Sequence, residues 1–126
     1  MKYVILIYRN PKARAAWQEM SATQRQEGLE VYRRLQADLE ESGEMVASTP
    51  LADAEAGTRL PATEGMDFTD FATDGPFAET TEYVGGFIMV DVDSEERALE
   101  IAARVPEAPL GLVEVRPTLD LAAFDL

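Results

Sequence analysis

The stretch Met1-Lys2-Tyr3-Val4-Ile5-Leu6-Ile7-Tyr8-Arg9-Asn10-Pro11 decides the fold. Tyr3 to Tyr8 is a continuous apolar and β-branched run. Neither alternate set, Tyr3/Ile5/Ile7 or Val4/Leu6/Tyr8, is polar, so the run reads as a strand with two apolar faces. A buried helical segment is the alternative, but so short a run, ended by Asn10-Pro11, does not make one. The second strong strand is Val84-Gly85-Gly86-Phe87-Ile88-Met89-Val90-Asp91-Val92. Its glycine pair marks a bulge or a close backbone approach.

Helical segments separate these strands. Asn10-Pro11 is an N-cap followed by an N1 proline, and a short helix then carries Ala13, Ala16, Trp17 and Met20 on one side. Ser21-Ala22-Thr23-Gln24 has the form of a capping box. Behind it Leu29, Tyr32, Leu35 and Leu39 recur at helical spacing, with charged residues opposite, and Gly43 ends the helix. Met45 to Thr49 reads as a strand closed by Pro50, and Thr58-Arg59-Leu60 and Phe68 to Thr73 as weaker strand segments. Asp93 with Glu96 three residues on opens another helix, whose stripe is Ala98, Ile101, Ala102 and Val105 and which Pro106 stops. Leu112 to Thr118 is the last strand. Met66, Met89 and Trp17 read as packing residues.

The order predicts one α+β domain over residues 1–126, a ferredoxin-like sandwich. Two helices cover only one face of such a sheet, yet the two strongest strands are apolar on both. A second copy of the chain, packed sheet to sheet, is the economical cover, so a homodimer is expected. A hydrophobic ligand or the C-terminal tail from Leu119 to Leu126 are the other ways to supply part of it.

Composition narrows the chemistry. The chain has 126 residues, 11 Lys+Arg against 24 Asp+Glu, a net charge of -13, and neither Cys nor His. Thiol nucleophiles, imidazole or thiolate metal sites and His-based triads are therefore absent. So is any side chain whose ordinary pKa lies near 7. A charge of -13 without a basic run argues against nucleic acid and against anionic membranes as partners. No export signal or long apolar run is visible, so cytoplasmic localisation is expected. At 46% hydrophobic residues the chain can build a core.

Two places carry candidate chemistry. In Thr73-Asp74-Gly75-Pro76-Phe77-Ala78-Glu79-Thr80 the Asp-Gly-Pro turn is ordinary punctuation. Phe77 and Glu79 are less easily explained that way, and Asp74 and Glu79 can present two carboxylates to one pocket. In the last strand, period 2 puts Gly111, Val113 and Val115 on the helix face and Leu112, Glu114 and Arg116 on the other. Glu114 and Arg116 read either as a charge pair that fixes register or as a lining in which Arg116 holds an anion. Tyr8 and Tyr83 each read as an amphipathic residue or as a phenol supplied to the same cavity. Asp91, Asp93, Glu95 and Glu96 read as helix-capping and dipole charges rather than a metal site. No cofactor is expected.

Asp74-Gly75-Pro76-Phe77-Ala78-Glu79-Thr80, Gly85-Gly86-Phe87 with the strand ending Asp91-Val92-Asp93, Ala102-Ala103-Arg104-Val105-Pro106 and Val113-Glu114-Val115-Arg116-Pro117 resemble the YCII-related family. Within it they resemble the branch named for its DGPF motif, and the opening Met1 to Tyr8 fits as well. The resemblance implies a dimeric α+β barrel of two ferredoxin-like subunits with a pocket between sheet and helices or loops. Asp74, Gly75, Pro76, Phe77, Glu79, Gly85, Gly86, Glu114 and Arg116 carry over. The His–Asp pair suggested as catalytic in some relatives has no counterpart here. The lysine and glutamine that commonly precede the glycines are replaced by Thr81 and Tyr83. Genes of this branch often neighbour those of sigma factors, which implies a regulatory or stress-linked setting and a sigma factor as partner.

The expected function is a small-molecule-binding dimer. Tyr8, Phe77, Tyr83, Glu114 and Arg116 would line a site for a small anionic or aromatic ligand. The alternative is a cofactor-free enzyme that moves a proton or isomerises a small carbonyl or carboxylate substrate, with Asp74 and Glu79 as catalytic acid and base and Arg116 holding the anion.

Overall fold

In a computed structural model, residues 1–61 and 82–125 are described. The elements are β1 (Lys2–Arg9), α1 (Pro11–Glu19), α2 (Ala22–Ser42), β2 (Met45–Pro50), β3 (Tyr83–Asp91), α3 (Glu95–Ala103) and β4 (Val113–Pro117). The strands form one antiparallel sheet in the order β2-β3-β1-β4. That order places each helical crossover between two strands that are not neighbours, the arrangement of a ferredoxin-like α+β fold.

The helix starts follow their local chemistry. The Asn10 side chain accepts from the Ala13 N–H at 2.8 Å, ahead of Pro11. Ser21 and Gln24 form the reciprocal capping box. Gly43 ends α2 at φ 80°, a left-handed conformation that glycine adopts without penalty. The α3 start differs from the expected one. Ser94, not Asp93, is the N-cap, its hydroxyl accepting from the Arg97 N–H at 3.2 Å. The S-x-x-R spacing lacks the glutamate of a capping box, so the box pattern favoured Asp93 instead. The helix also closes at Ala103, before Pro106.

The core lies between the sheet and two helices. Tyr3, Ile5 and Ile7 of β1 and Ile88 and Val90 of β3 pack with Leu35 and Leu39 of α2 and Ala98, Ile101 and Ala102 of α3. Val113 and Val115 join them from β4 as expected, since period 2 turns them to the same side. Leu29 departs from its expected place and is exposed. Trp17 is only half-buried, and α1 contributes no buried residue. Instead α1 is tied to α2 by Arg25, which donates to the Trp17 and Gln18 carbonyls and lies 5.9 Å from the Trp17 ring centroid.

The other sheet face is different. Val4, Leu6, Phe87 and Met89 alternate with the core residues and are only half-buried. Met89 is thus a residue of this face, not of the core. Leu119, Leu121 and Phe124 of the C-terminal tail stay exposed, so their side chains do not seal it. Thr58–Leu60 is not a strand. Phe68 to Thr73 and Met66 lie outside the described residues. Among the described residues no helix is long and apolar enough to cross a membrane.

Leu39 is fully buried beneath the sheet. Leu39→Ala is expected to destabilise the fold by about 2–5 kcal/mol through lost burial and a residual cavity. Urea unfolding measures it; a loss below about 1 kcal/mol would show that this packing is not the core of the fold.

Candidate functional site

The half-buried face carries a polar group at one edge. Pairing aligns Leu6 with Phe87 and Glu114, and Val4 with Met89 and Arg116. Two apolar rows therefore cross the middle of the sheet and end on β4 in a carboxylate and a guanidinium. Glu114 and Arg116, two residues apart on one strand, point the same way. Arg116 Nε donates to Glu114 Oε2 at 2.8 Å and Nη2 donates to Oε1 at 2.9 Å. The Tyr8 hydroxyl, from the end of β1, donates to Glu114 Oε1 at 2.7 Å. Tyr8, Glu114 and Arg116 thus form one hydrogen-bonded trio at the rim of the apolar rows.

Its electrostatics follow from that geometry. The Arg116 guanidinium, and next the Tyr8 hydroxyl, hold the Glu114 carboxyl below the usual carboxylate range. The Glu114 hydrogen bond pushes the Tyr8 phenol up, and Glu114 likewise raises Arg116. The phenol therefore stays protonated at neutral pH and is a hydrogen-bond donor, not a base. The trio is neutral overall. Glu114 holds two of the guanidinium nitrogens, Nε and Nη2, and accepts from the Tyr8 hydroxyl as well. Such a group orients a polar ligand by hydrogen bonding more than by net charge.

The other expected site residues are placed differently. Tyr83 stands opposite Arg9 in the ladder, whereas Tyr8 is opposite Val84. Tyr83 is thus not brought to the trio. Asp74, Phe77 and Glu79 lie outside the described residues.

A second polar cluster gave little sequence signal. At the same end of β1 as Tyr8, Arg9 Nη1 donates to the Leu51 carbonyl at 2.7 Å and lies 3.9 Å from Asp53 Oδ1. Arg14 Nη2 of α1 is 3.0 Å from Asp53 Oδ2. Nearby, the Tyr32 hydroxyl of α2 donates to Glu107 Oε2, and burial first, then this bond, pushes the Tyr32 phenol up. These residues come from five separate stretches of chain, so no local spacing announces them. Arginine ending an apolar strand, next to Asn-Pro, was the one visible clue.

A third feature is a surface cleft of about 510 Å³ lined by Ser42, Gly43, Glu44, Asp91, Asp93, Ser94 and Arg97. Glu44 and Arg97 form a two-point ion pair across it, both bonds 2.8 Å. Asp91 Oδ1 accepts from the Met1 ammonium at 2.9 Å. The cleft's main charges are thus paired within the chain. No group of three or more acidic side chains among the described residues is arranged to hold a metal ion.

The sheet order and the helices on one face define the class, a ferredoxin-like α+β protein. The chain belongs to the YCII-related family, whose domain model matches residues 1–122. It is 30% identical to an uncharacterized protein of Rhizobium meliloti (strain 1021) over 119 residues, spanning 93% of this chain and 91% of that one.

The Arg97 guanidinium, with a smaller contribution from the Ser42 hydroxyl, lowers the Glu44 pKa to about 2 against an ordinary 4.5. A depressed carboxyl stabilises the fold fully above its unfolded pKa and loses that contribution as pH falls through the folded value. The stability advantage of the wild type over Glu44→Gln should therefore be constant above pH ~5 and shrink between about 4.5 and 2. Paired urea titrations across that window measure it, and an advantage that does not change with pH would contradict the assignment.

Proposed function

We propose that this protein is a small-molecule-binding dimer of the DGPF type, with its ligand held between two facing sheets beside Tyr8, Glu114 and Arg116. The observation that carries the reading is the half-buried face of Val4, Leu6, Phe87 and Met89 bordered by the hydrogen-bonded trio. An apolar floor with a few fixed polar groups at one side is the usual make-up of a ligand pocket. Such a face on one copy, packed on the same face of another, removes both from water and encloses the trio at the rim.

The trio itself acts as a binding group, while the acid and base of the catalytic alternative, Asp74 and Glu79, lie outside the described residues. Arg116 is already paired with Glu114, and Tyr8 is a phenol held protonated. Neither is poised to take a proton at neutral pH. The ligand that fits is small and anionic or aromatic, with a polar end that accepts from the Arg116 guanidinium.

Sedimentation of the wild type should show a dimer, and Phe87→Glu should shift it toward monomer by placing a charge on the packed face. A monomeric wild type at tens of micromolar would sink the dimeric reading. A thermal-shift screen of small aromatic acids and lactones should then give hits that Arg116→Ala abolishes while the variant remains dimeric. Hits that survive Arg116→Ala would place the ligand elsewhere.

A further inference from the structure

Arg9 sits where the long connection from β2 to β3 leaves the sheet and where it returns. At the departing end, Arg9 Nη1 donates to the Leu51 carbonyl and approaches Asp53. At the returning end, the side chain lies across Gly85. A Cβ built on Gly85 would fall 2.5 to 2.6 Å from Arg9 Nε, Cδ and Cγ, closer than real side chains come. The register explains the space. Ile7 pairs with Gly86 and Tyr8 with Val84, so Gly85 is the extra residue of a β-bulge. The two ends also touch directly, the Leu51 N–H donating to the Gly85 carbonyl at 2.9 Å. Arg14 holds the other oxygen of Asp53 from α1.

We infer that Arg9 is a clamp that pins the two ends of the 51–82 connection together, with Gly85 as its seat and the Leu51 carbonyl as its anchor. Arg9 is a positioning residue: it fixes where the chain that carries Asp74, Phe77 and Glu79 in sequence leaves and re-enters the fold. The clamp is not an optimised stability device. Among the described residues, Arg14 Nε and Asp53 Oδ1 are buried without a hydrogen-bond partner, and unsatisfied polar atoms oppose the pairing they belong to. A contact that is incompletely satisfied yet spans both ends of one connection opens locally, below the free energy of global unfolding.

Native-state hydrogen exchange on the full chain tests this. The Leu51 amide reports the clamped end. The Asp91 amide, which donates to the Glu44 carbonyl at the opposite end of the same strand pair, is the control. Arg9→Ala should accelerate exchange at Leu51 by about tenfold or more, the loss of one hydrogen bond from a charged donor, and leave Asp91 unchanged. Gly85→Ala, which unseats Arg9 without removing its charge, should reproduce the selective effect and keeps the test open if Arg9→Ala folds poorly. Equal acceleration at Leu51 and Asp91 would reduce Arg9 to a contributor to overall stability. No acceleration at Leu51 in either variant would overturn the clamp.

Discussion

The structure depends on one constraint: a four-stranded sheet with two helices packed against it has one covered face, and its central strands are apolar on both. β1 lies between β3 and β4, so its alternate residues have no edge to escape to. Tyr3, Ile5 and Ile7 join the core with α2 and α3. Val4 and Leu6 are left in the opposite layer with Phe87 and Met89. Burying one set and leaving the other half-exposed gives the second face an apolar patch, the feature on which the proposed dimer and ligand site rest. The position of the Tyr8, Glu114 and Arg116 trio follows from the same alternation. Pairing of Leu6 with Glu114 and Val4 with Arg116 sets the charged pair beside the apolar rows.

The local features of this fold were largely readable from the chain because each has a short-range cause. The Asn10-Pro11 start, the Ser21 to Gln24 box and the Gly43 stop act within one helical turn. The alternation in β4 was equally legible, and so was the bulge behind Gly85-Gly86. Side chains whose role depends on which elements pack together were harder. Leu29 has the helical spacing of a core residue yet is exposed, and Trp17 lies on a helix that buries nothing. The cap of α3 is Ser94, whose hydroxyl accepts from the Arg97 N–H, one residue later than the Asp93 and Glu96 pattern placed it.

The candidate site divides along the same line. Glu114 and Arg116 were found together because they share a strand, and Tyr8 meets them because β1 neighbours β4. Tyr83 was grouped with them on residue type alone, and the ladder sets it opposite Arg9. The Arg9, Arg14 and Asp53 cluster had no sequence spacing to betray it, since the three meet only once β1, α1 and the chain after β2 are in place. Gly85 was legible as a special position, but which side chain required its bare backbone was not.

The strand order has a consequence for how the chain acquires its shape. β1 contains the first residues of the sheet, but both of its neighbours come from the second half of the chain, with Lys2 opposite Asp91 and Tyr3 opposite Pro117. During synthesis the two helices after it can form from local contacts while β1 has nothing to pair with. Its apolar faces wait until β3 emerges, and the loop closure needed to pair them is long. Pairing the first strand with its later partners therefore closes the longest loops of the sheet, the contacts of highest entropic cost. Nascent chains that end before β3 present an unpaired apolar strand, the form in which such a sequence most readily aggregates.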